Sequence, residues 1–203
     1  KRSVKKRGVE GLSVLQAIRS IERCHVVVLM IDAEDGVGEQ DAKIAGLADD
    51  RGRALIIALN KTDLLDRDAQ KKAMDRAREV LAFVPWAPMV TVSALRGRGI
   101  QALLGRVDDA VTEHRKRIGT AELNRFFEEV LDKHPPPTMH HRSVRLYYIT
   151  QASVAPPTFV VMTNSPDDVH FSYQRYVVNQ IRQRFGFRGT PIRVRYRGKK
   201  GRK

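Results

Sequence analysis

Two uninterrupted apolar runs constrain this chain most, Val26-Val27-Val28-Leu29-Met30-Ile31 and Ala54-Leu55-Ile56-Ile57-Ala58-Leu59. Neither shows the polar alternation of a strand with one wet face, so both read as parallel strands buried on two sides. Helical patterns surround them. Val14, Ala17, Ile18 and Ile21 recur at helical spacing and predict an amphipathic helix over residues 10–23. Gln40 to Arg51 predicts a second helix, with Ile44, Leu47 and Ala48 inward and Gly52 as its stop. Further helices are predicted over Asp66–Ala82 and Ile100–Arg115, with a strand at Met89–Val92 between them. Strands that alternate with helices specify a parallel α/β sheet.

The second run is followed at once by Asn60-Lys61-Thr62-Asp63. Open α/β sheets bind ligands at the carboxyl ends of their strands. There an N-K-x-D turn can read guanine. The Asp63 carboxylate can accept two hydrogen bonds, from the ring N–H and the exocyclic amine, and adenine has no such donor pair. A base lacking the pair would leave the carboxylate unsatisfied. The Asn60 amide can meet the base edge and brace neighbouring loops, and the Lys61 stem can cover the ring face. Ser93-Ala94-Leu95 follows the next predicted strand. In guanine sites such a pair places the Ala94 backbone N–H against the guanine carbonyl oxygen, with Ser93 orienting the loop. The predicted guanine-binding set is Asn60, Lys61, Thr62, Asp63, Ser93, Ala94 and Leu95. Asp32 and Asp35 also follow a strand, but capping and turn formation are their expected roles.

The pattern changes near Gly119. Thr120 reads as an N-cap ahead of an apolar face of Leu123, Phe126, Phe127, Val130 and Leu131, and His134-Pro135-Pro136-Pro137 stops that helix. Strands are predicted over Ser143–Thr150 and Thr158–Thr163, then a helix over Ser172–Phe185 and a strand over Pro191–Tyr196. The order αββαβ is a small α+β domain, followed by a basic tail from Gly198 to Lys203.

Charge points to an anionic partner. The formal net charge is +14, and no acidic residue follows Asp168. Nucleic acid is the first expectation for so clustered an excess. Arg193, Arg195, Arg197, Lys199, Lys200, Arg202 and Lys203 are the candidate RNA-phosphate contacts, which would be salt-dependent and poor in sequence information. Tyr147, Tyr148 and Phe159 lie on predicted strands and could stack bases, but alternate positions of a half-buried sheet are more often core. Cys24 is the only cysteine, which excludes an internal disulfide and a cysteine zinc cluster, and fits a reducing cytoplasm. His140-His141 has no second ligand set at metal spacing, so no metal site is expected in this chain. No apolar run approaches a membrane span, and no membrane partner is expected.

These residues resemble the C-terminal part of the EngA (Der) ribosome-assembly GTPases, which carry two tandem G domains and a C-terminal KH-like domain. The resemblance rests on Ile18-Arg19-Ser20-Ile21-Glu22-Arg23, Ile31-Asp32-Ala33, Glu39-Gln40-Asp41, Asn60-Lys61-Thr62-Asp63 and Ser93-Ala94. In the last domain it rests on Leu123-Asn124-Arg125-Phe126, His134-Pro135-Pro136-Pro137, Pro156-Pro157-Thr158-Phe159-Val160, Phe185-Gly186-Phe187 and Gly189-Thr190-Pro191-Ile192-Arg193. Thr62 stands where the family often has Trp, at the variable position of the motif. The Pro-Pro-Pro and Phe-Gly-Phe blocks argue against the Era family, whose KH domain is of the standard kind.

The resemblance implies a three-layer, partial P-loop-NTPase-type G domain with a parallel sheet over residues 1–116. A KH-like αββαβ domain over 117–197 and a basic tail over 198–203 would follow. It implies GTP or GDP as ligand, GTP hydrolysis by a parent protein, and a role in large ribosomal subunit assembly with that subunit or its precursor and rRNA as partners. A cytoplasmic monomer is expected. Mg²⁺ is expected in the parent, but the G-x-x-x-x-G-K-S/T loop that supplies its hydroxyl ligand is not in this sequence. No catalytic residue is therefore assigned here. The G domain would hold only three strands of a six-stranded sheet, leaving Val26–Ile31 as a bare apolar edge, so further sequence upstream is expected. The other reading is a nucleotide-independent, KH-like rRNA-binding module. Gly186-Phe187-Arg188-Gly189 formally matches the G-x-x-G clamp of KH domains, but it joins a helix to a strand, so a turn is the expected role.

Overall fold

A computed structural model describes residues 16–137 and 143–198. Lys1–Arg7, His140-His141, Lys199, Lys200, Arg202 and Lys203 lie outside the described residues. The chain divides into two compact units, Lys1–Val111 and Thr112–Lys203.

The first unit is a parallel sheet between helices. Its elements are α1 (residues 16–23), β1 (Val26–Asp32), α2 (Glu39–Asp50), β2 (Ala54–Asn60), α3 (Arg67–Val80), β3 (Met89–Thr91) and α4 (Ile100–Arg115), whose residues from Thr112 on belong to the second unit. The sheet order is β1-β2-β3 and both pairings are parallel. Central β2 is buried from Ala54 to Leu59, as its unbroken apolar run requires. Leu55, Ile57 and Leu59 pack toward Ala45, Ala48, Ala77 and Leu81 on α2 and α3. Ala54, Ile56 and Ala58 pack toward Leu103 and Ala110 on α4. These are the three layers of the expected partial G domain.

β1 departs from the expectation of burial on both faces. Leu29 and Ile31 are buried, but Val28 is 38% and Met30 47% exposed. Among the described residues β1 pairs only with β2, so one strand edge is bare, as the incomplete sheet predicts. On α2 the buried residues are Ala45 and Ala48, whereas Ile44 is only partly buried. Gly52 ends that helix as expected. At φ +66° it donates to Asp49 O and lets Arg53 N–H reach Ala48 O, which satisfies two terminal carbonyls. Asp66 does not begin α3 but caps it, accepting the Ala69 N–H at 2.8 Å.

The second unit contains α5 (Thr120–Lys133), β4 (Leu146–Ser153), β5 (Thr158–Thr163), α6 (Phe171–Phe185) and β6 (Arg193–Gly198). This is the predicted αββαβ order. The N-cap of α5 is Gly119, one residue before the predicted Thr120. β4 pairs antiparallel with β5, which pairs parallel with β6. β6 begins two residues later than predicted, because Pro191 has no N–H to donate to a ladder. Both helices contribute to one core, where Leu123, Phe127, Val177 and Ile181 meet Ile149, Phe159 and Val161. Gly186, Phe187 and Gly189 all take positive φ between α6 and β6. Phe187 is fully buried there and its N–H is accepted by the Glu113 carboxylate. The Arg182 guanidinium donates to Phe187 O and, at 3.1 Å, to Thr190 O. This G-x-x-G is a folded turn in which the Gly186 N–H and both backbone groups of Phe187 are already engaged.

Candidate functional site

Parallel register brings the carboxyl ends of β1, β2 and β3 to one edge of the first sheet. Asp32 lies opposite Asn60, and Leu59 opposite Thr91. The loops that follow the three strands therefore share that edge.

Asn60 links all three. Its Oδ1 accepts the Ala94 N–H at 2.9 Å, and its backbone carbonyl accepts the Ala33 N–H at 2.9 Å. The brace expected of Asn60 is present. The Ala94 N–H, expected as a free donor for a ligand carbonyl, is instead occupied by that brace, so an incoming acceptor must share it with Asn60 or displace it. Thr62 is buried, and its hydroxyl and N–H both donate to Val92 O, at 2.8 and 3.2 Å. Its side chain is turned into the fold. Gln70 pins the same turn by donating to Thr62 O at 2.7 Å and Leu65 O at 3.0 Å. Leu95 is 85% exposed.

Lys61 adopts φ +61°, a left-handed conformation uncommon outside glycine. Its ammonium pairs with the Asp32 carboxylate, which also accepts the Glu34 N–H at 3.0 Å. The Lys61 bond, then the Glu34 N–H, holds the Asp32 carboxyl below its ordinary pKa, and Asp32 raises that of Lys61. Asp32 does form the turn expected of it, but it also anchors Lys61, a role that chain order alone did not suggest.

Asp63 sits between the β2 and β3 loops with its side chain 10% exposed. A hydrogen bond from the Ser93 hydroxyl is the main reason its carboxyl lies below the ordinary value, and the positive charges of Arg96 and Arg98 add to this. Arg96 Nε is 3.9 Å from Asp63 Oδ2. Ser93 Oγ also accepts the Arg96 N–H at 3.2 Å, and Ser93 exchanges two backbone hydrogen bonds with Arg98, at 2.9 and 3.1 Å. Gly99 closes this loop at φ +75°, where an added Cβ would lie 2.3 Å from Thr91 O. The arrangement holds an ionised carboxylate in a fixed place with few water contacts. Its remaining lone pairs suit a planar ligand that offers two adjacent N–H donors. Among the described residues, no group of three or more His, Cys, Asp or Glu could hold a metal ion, and no helix is long and apolar enough to cross a membrane.

The other predicted set lies on β6. Arg195 and Arg197 are exposed, and Arg193 is partly buried. Lys199, Lys200, Arg202 and Lys203 follow outside the described residues. Phe159 is core, as expected of a strand aromatic, but Tyr147 and Tyr148 are 50% and 46% exposed.

Residues 117–197 match the family described as the KH-domain-like region of EngA bacterial GTPase enzymes, C-terminal, and residues 14–113 match the elongation factor Tu GTP-binding domain. A protein of Geotalea daltonii named GTPase Der is 43% identical over 197 residues, which cover 96% of this chain and 45% of that protein. The chain matches the C-terminal part of the EngA (Der) family. GTPase Der of Moorella thermoacetica is 45% identical over 192 residues, covering 93% of this chain and 43% of the relative. The chain thus spans just under half the length of these EngA (Der) relatives. Among solved structures, the apo form of translation elongation factor SelB from Methanococcus maripaludis superposes with a TM-score of 0.46 at 14% identity, over 53% of this chain and 24% of that one.

Proposed function

We propose that this chain is the guanine-reading and RNA-contacting part of a GTP-binding, GTP-hydrolysing factor that acts in assembly of the large ribosomal subunit. Residues 1–116 are the guanine-recognition half of a G domain, 117–197 a KH-like domain and 198–203 a basic tail. The observation that carries the reading is Asp63, an ionised carboxylate held by Ser93 beside a loop that Asn60 ties down. Asp63 accepts the guanine ring N–H and exocyclic amine, and Asn60 braces the loops and meets the base edge. Lys61 covers the ring, and Ala94 supplies the backbone donor once a ligand carbonyl competes with Asn60. Leu95 borders the base, while Thr62 shapes the turn from within. GTP or GDP is the ligand, and the phosphates and Mg²⁺ are held by residues of the parent outside this sequence.

The β6 arginines with Lys199, Lys200, Arg202 and Lys203 contact rRNA phosphates. The partner is the large subunit or its precursor, and the setting is the cytoplasm, with the protein acting as a monomer. The exposed Arg195 and Arg197, in no ion pair among the described residues, also support a narrower reading, in which the KH-like domain binds rRNA whatever the nucleotide.

A titration with labelled GDP, competed by unlabelled GTP and ATP, tests the first reading. Displacement by GTP and not by ATP is expected for the parent protein. Asp63→Asn should weaken GDP and favour a xanthine nucleotide, whose ring carries an oxygen where guanine carries its amine. An unchanged base preference overturns the assignment. Binding to ribosomal particles that ignores GTP versus GDP favours the narrower reading.

A further inference from the structure

Among the described residues, helices cover the second sheet on one side only. Ile149, Phe159 and Val161 face the buried core with α5 and α6. Their neighbours along each strand face the other way, since side chains alternate across a sheet. Register aligns these outward residues across all three strands. Tyr148, Met162 and Arg197 form one row, and Thr150, Val160 and Arg195 the next. Met162, Val160 and Thr150 are partly buried and make a floor, while Tyr148, Arg195 and Arg197 stand exposed.

Two details set this face apart from an ordinary wet sheet. The pairing register shifts between Leu146 and Tyr148, so Tyr147 is an extra residue. A regular strand would turn one of two successive tyrosines inward, whereas this bulge leaves both about half exposed. The second detail is charge. β4, β5 and β6 contain no Asp or Glu. Among the described residues neither Arg195 nor Arg197 takes part in an ion pair.

We infer that this open face is a single-stranded RNA site, with a base stacked on Tyr148 over the Met162–Val160 floor and Arg195 and Arg197 on the flanking phosphates. Every base has a π-face, so an exposed tyrosine beside a basic track accepts single strands with little sequence preference. The two arginines are two residues apart on one strand, roughly 6.6 Å at the usual rise, so they can serve successive phosphates. A duplex keeps its bases stacked on one another and would offer this face phosphates and hydroxyls only. A protein partner would have to supply carboxylates for both arginines. The inference deepens the RNA part of the function proposed above and is independent of the guanine site.

The test is anisotropy of a labelled, unstructured RNA oligonucleotide with the full chain across a salt series, with unlabelled RNA duplex and polyglutamate as competitors. Tyr148→Ala is expected to weaken binding about tenfold without changing the salt slope, because stacking releases no counterions. Tyr148→Phe should bind like wild type, and Tyr148→Leu, which keeps apolar bulk without a π-face, should bind like the alanine variant. The double variant Arg195→Gln, Arg197→Gln should lower the slope by about 1.4, the value for two phosphates of a single strand. Wild-type affinity in Tyr148→Ala, or duplex competing as well as single strand, overturns the stacking site and leaves phosphate contact by β6 standing. Displacement by polyglutamate as readily as by RNA assigns the face to an acidic protein and overturns it too. No RNA binding by the wild-type chain sinks both this inference and the RNA reading it deepens.

Discussion

β2 and β6 each carry one candidate site, in opposite ways. β2 is buried on both faces from Ala54 to Leu59, so it presents chemistry only after its last residue, at Asn60–Asp63. β6 has one covered face and one open face, so it presents Arg195 and Arg197 along its length. A strand between two helical layers leaves a ligand nowhere to approach but its end. There a few groups can be held by hydrogen bonds from several loops. A strand with a bare face offers a track instead, whose contacts come from repetition more than from fixed geometry. The first arrangement suits a small planar ligand read by one carboxylate, and the second an extended polyanion.

The largest effect that could break this comparison is on stability. Ile57→Ala, in the fully buried β2, should cost about 3 kcal/mol, whereas Arg195→Ala on β6 should stay within about 0.5 kcal/mol. Urea denaturation followed by Trp86 fluorescence reads the first unit, because this single tryptophan packs against its core, and amide hydrogen exchange of β6 reads the second. Equal costs would mean that the two strands are not differently enclosed.

Ligand binding sharpens the contrast. In the parent protein Asp63→Ala is expected to weaken GDP about 100-fold, the scale for two lost hydrogen bonds to a charged acceptor, and to leave RNA affinity unchanged. A parallel loss of RNA binding would couple two sites that the comparison separates.

Asn60→Ala removes the tie to Ala94, whose amide should then exchange faster with solvent, and GDP affinity should fall about tenfold as the loop loosens. Unchanged exchange at Ala94 would mean that other contacts hold the loop.

Smaller effects concern charge. Asp32→Asn breaks the Lys61 pair and should weaken GDP only about threefold, an effect that high salt should erase because the pair is partly solvent-exposed. For Asp63 the sign of the pH dependence follows from its depressed pKa. The carboxylate form binds, so its contribution is complete above the unperturbed value and is lost only as pH falls through the lowered one. GDP affinity should be flat from pH 8 down to about 5. A decline that begins near neutrality would mean that the acceptor is some other group.

Much of this was legible in the amino-acid order, because periodicity records local environment. The two apolar runs predicted parallel strands, although only β2 is buried on both faces, the αββαβ order emerged from turn residues and helical spacing, and N-K-x-D stood at the end of a strand where ligands bind. Errors at element ends were local. Gly119 takes the cap predicted for Thr120, and β6 starts after Pro191 because proline cannot join the ladder. What the chain order could not reveal were contacts between loops that only sheet register brings together. Asn60 meets Ala94 across 34 positions, and Asp32 reaches Lys61 because β1 and β2 end side by side. The two exposed tyrosines belong here as well. Alternation predicts one inward and one outward, but a bulge in β4 and the helices covering a single face leave both in solvent. Local sequence carries the period and the polarity of each element. Which ends meet, and which face stays bare, depends on packing among elements far apart in the chain.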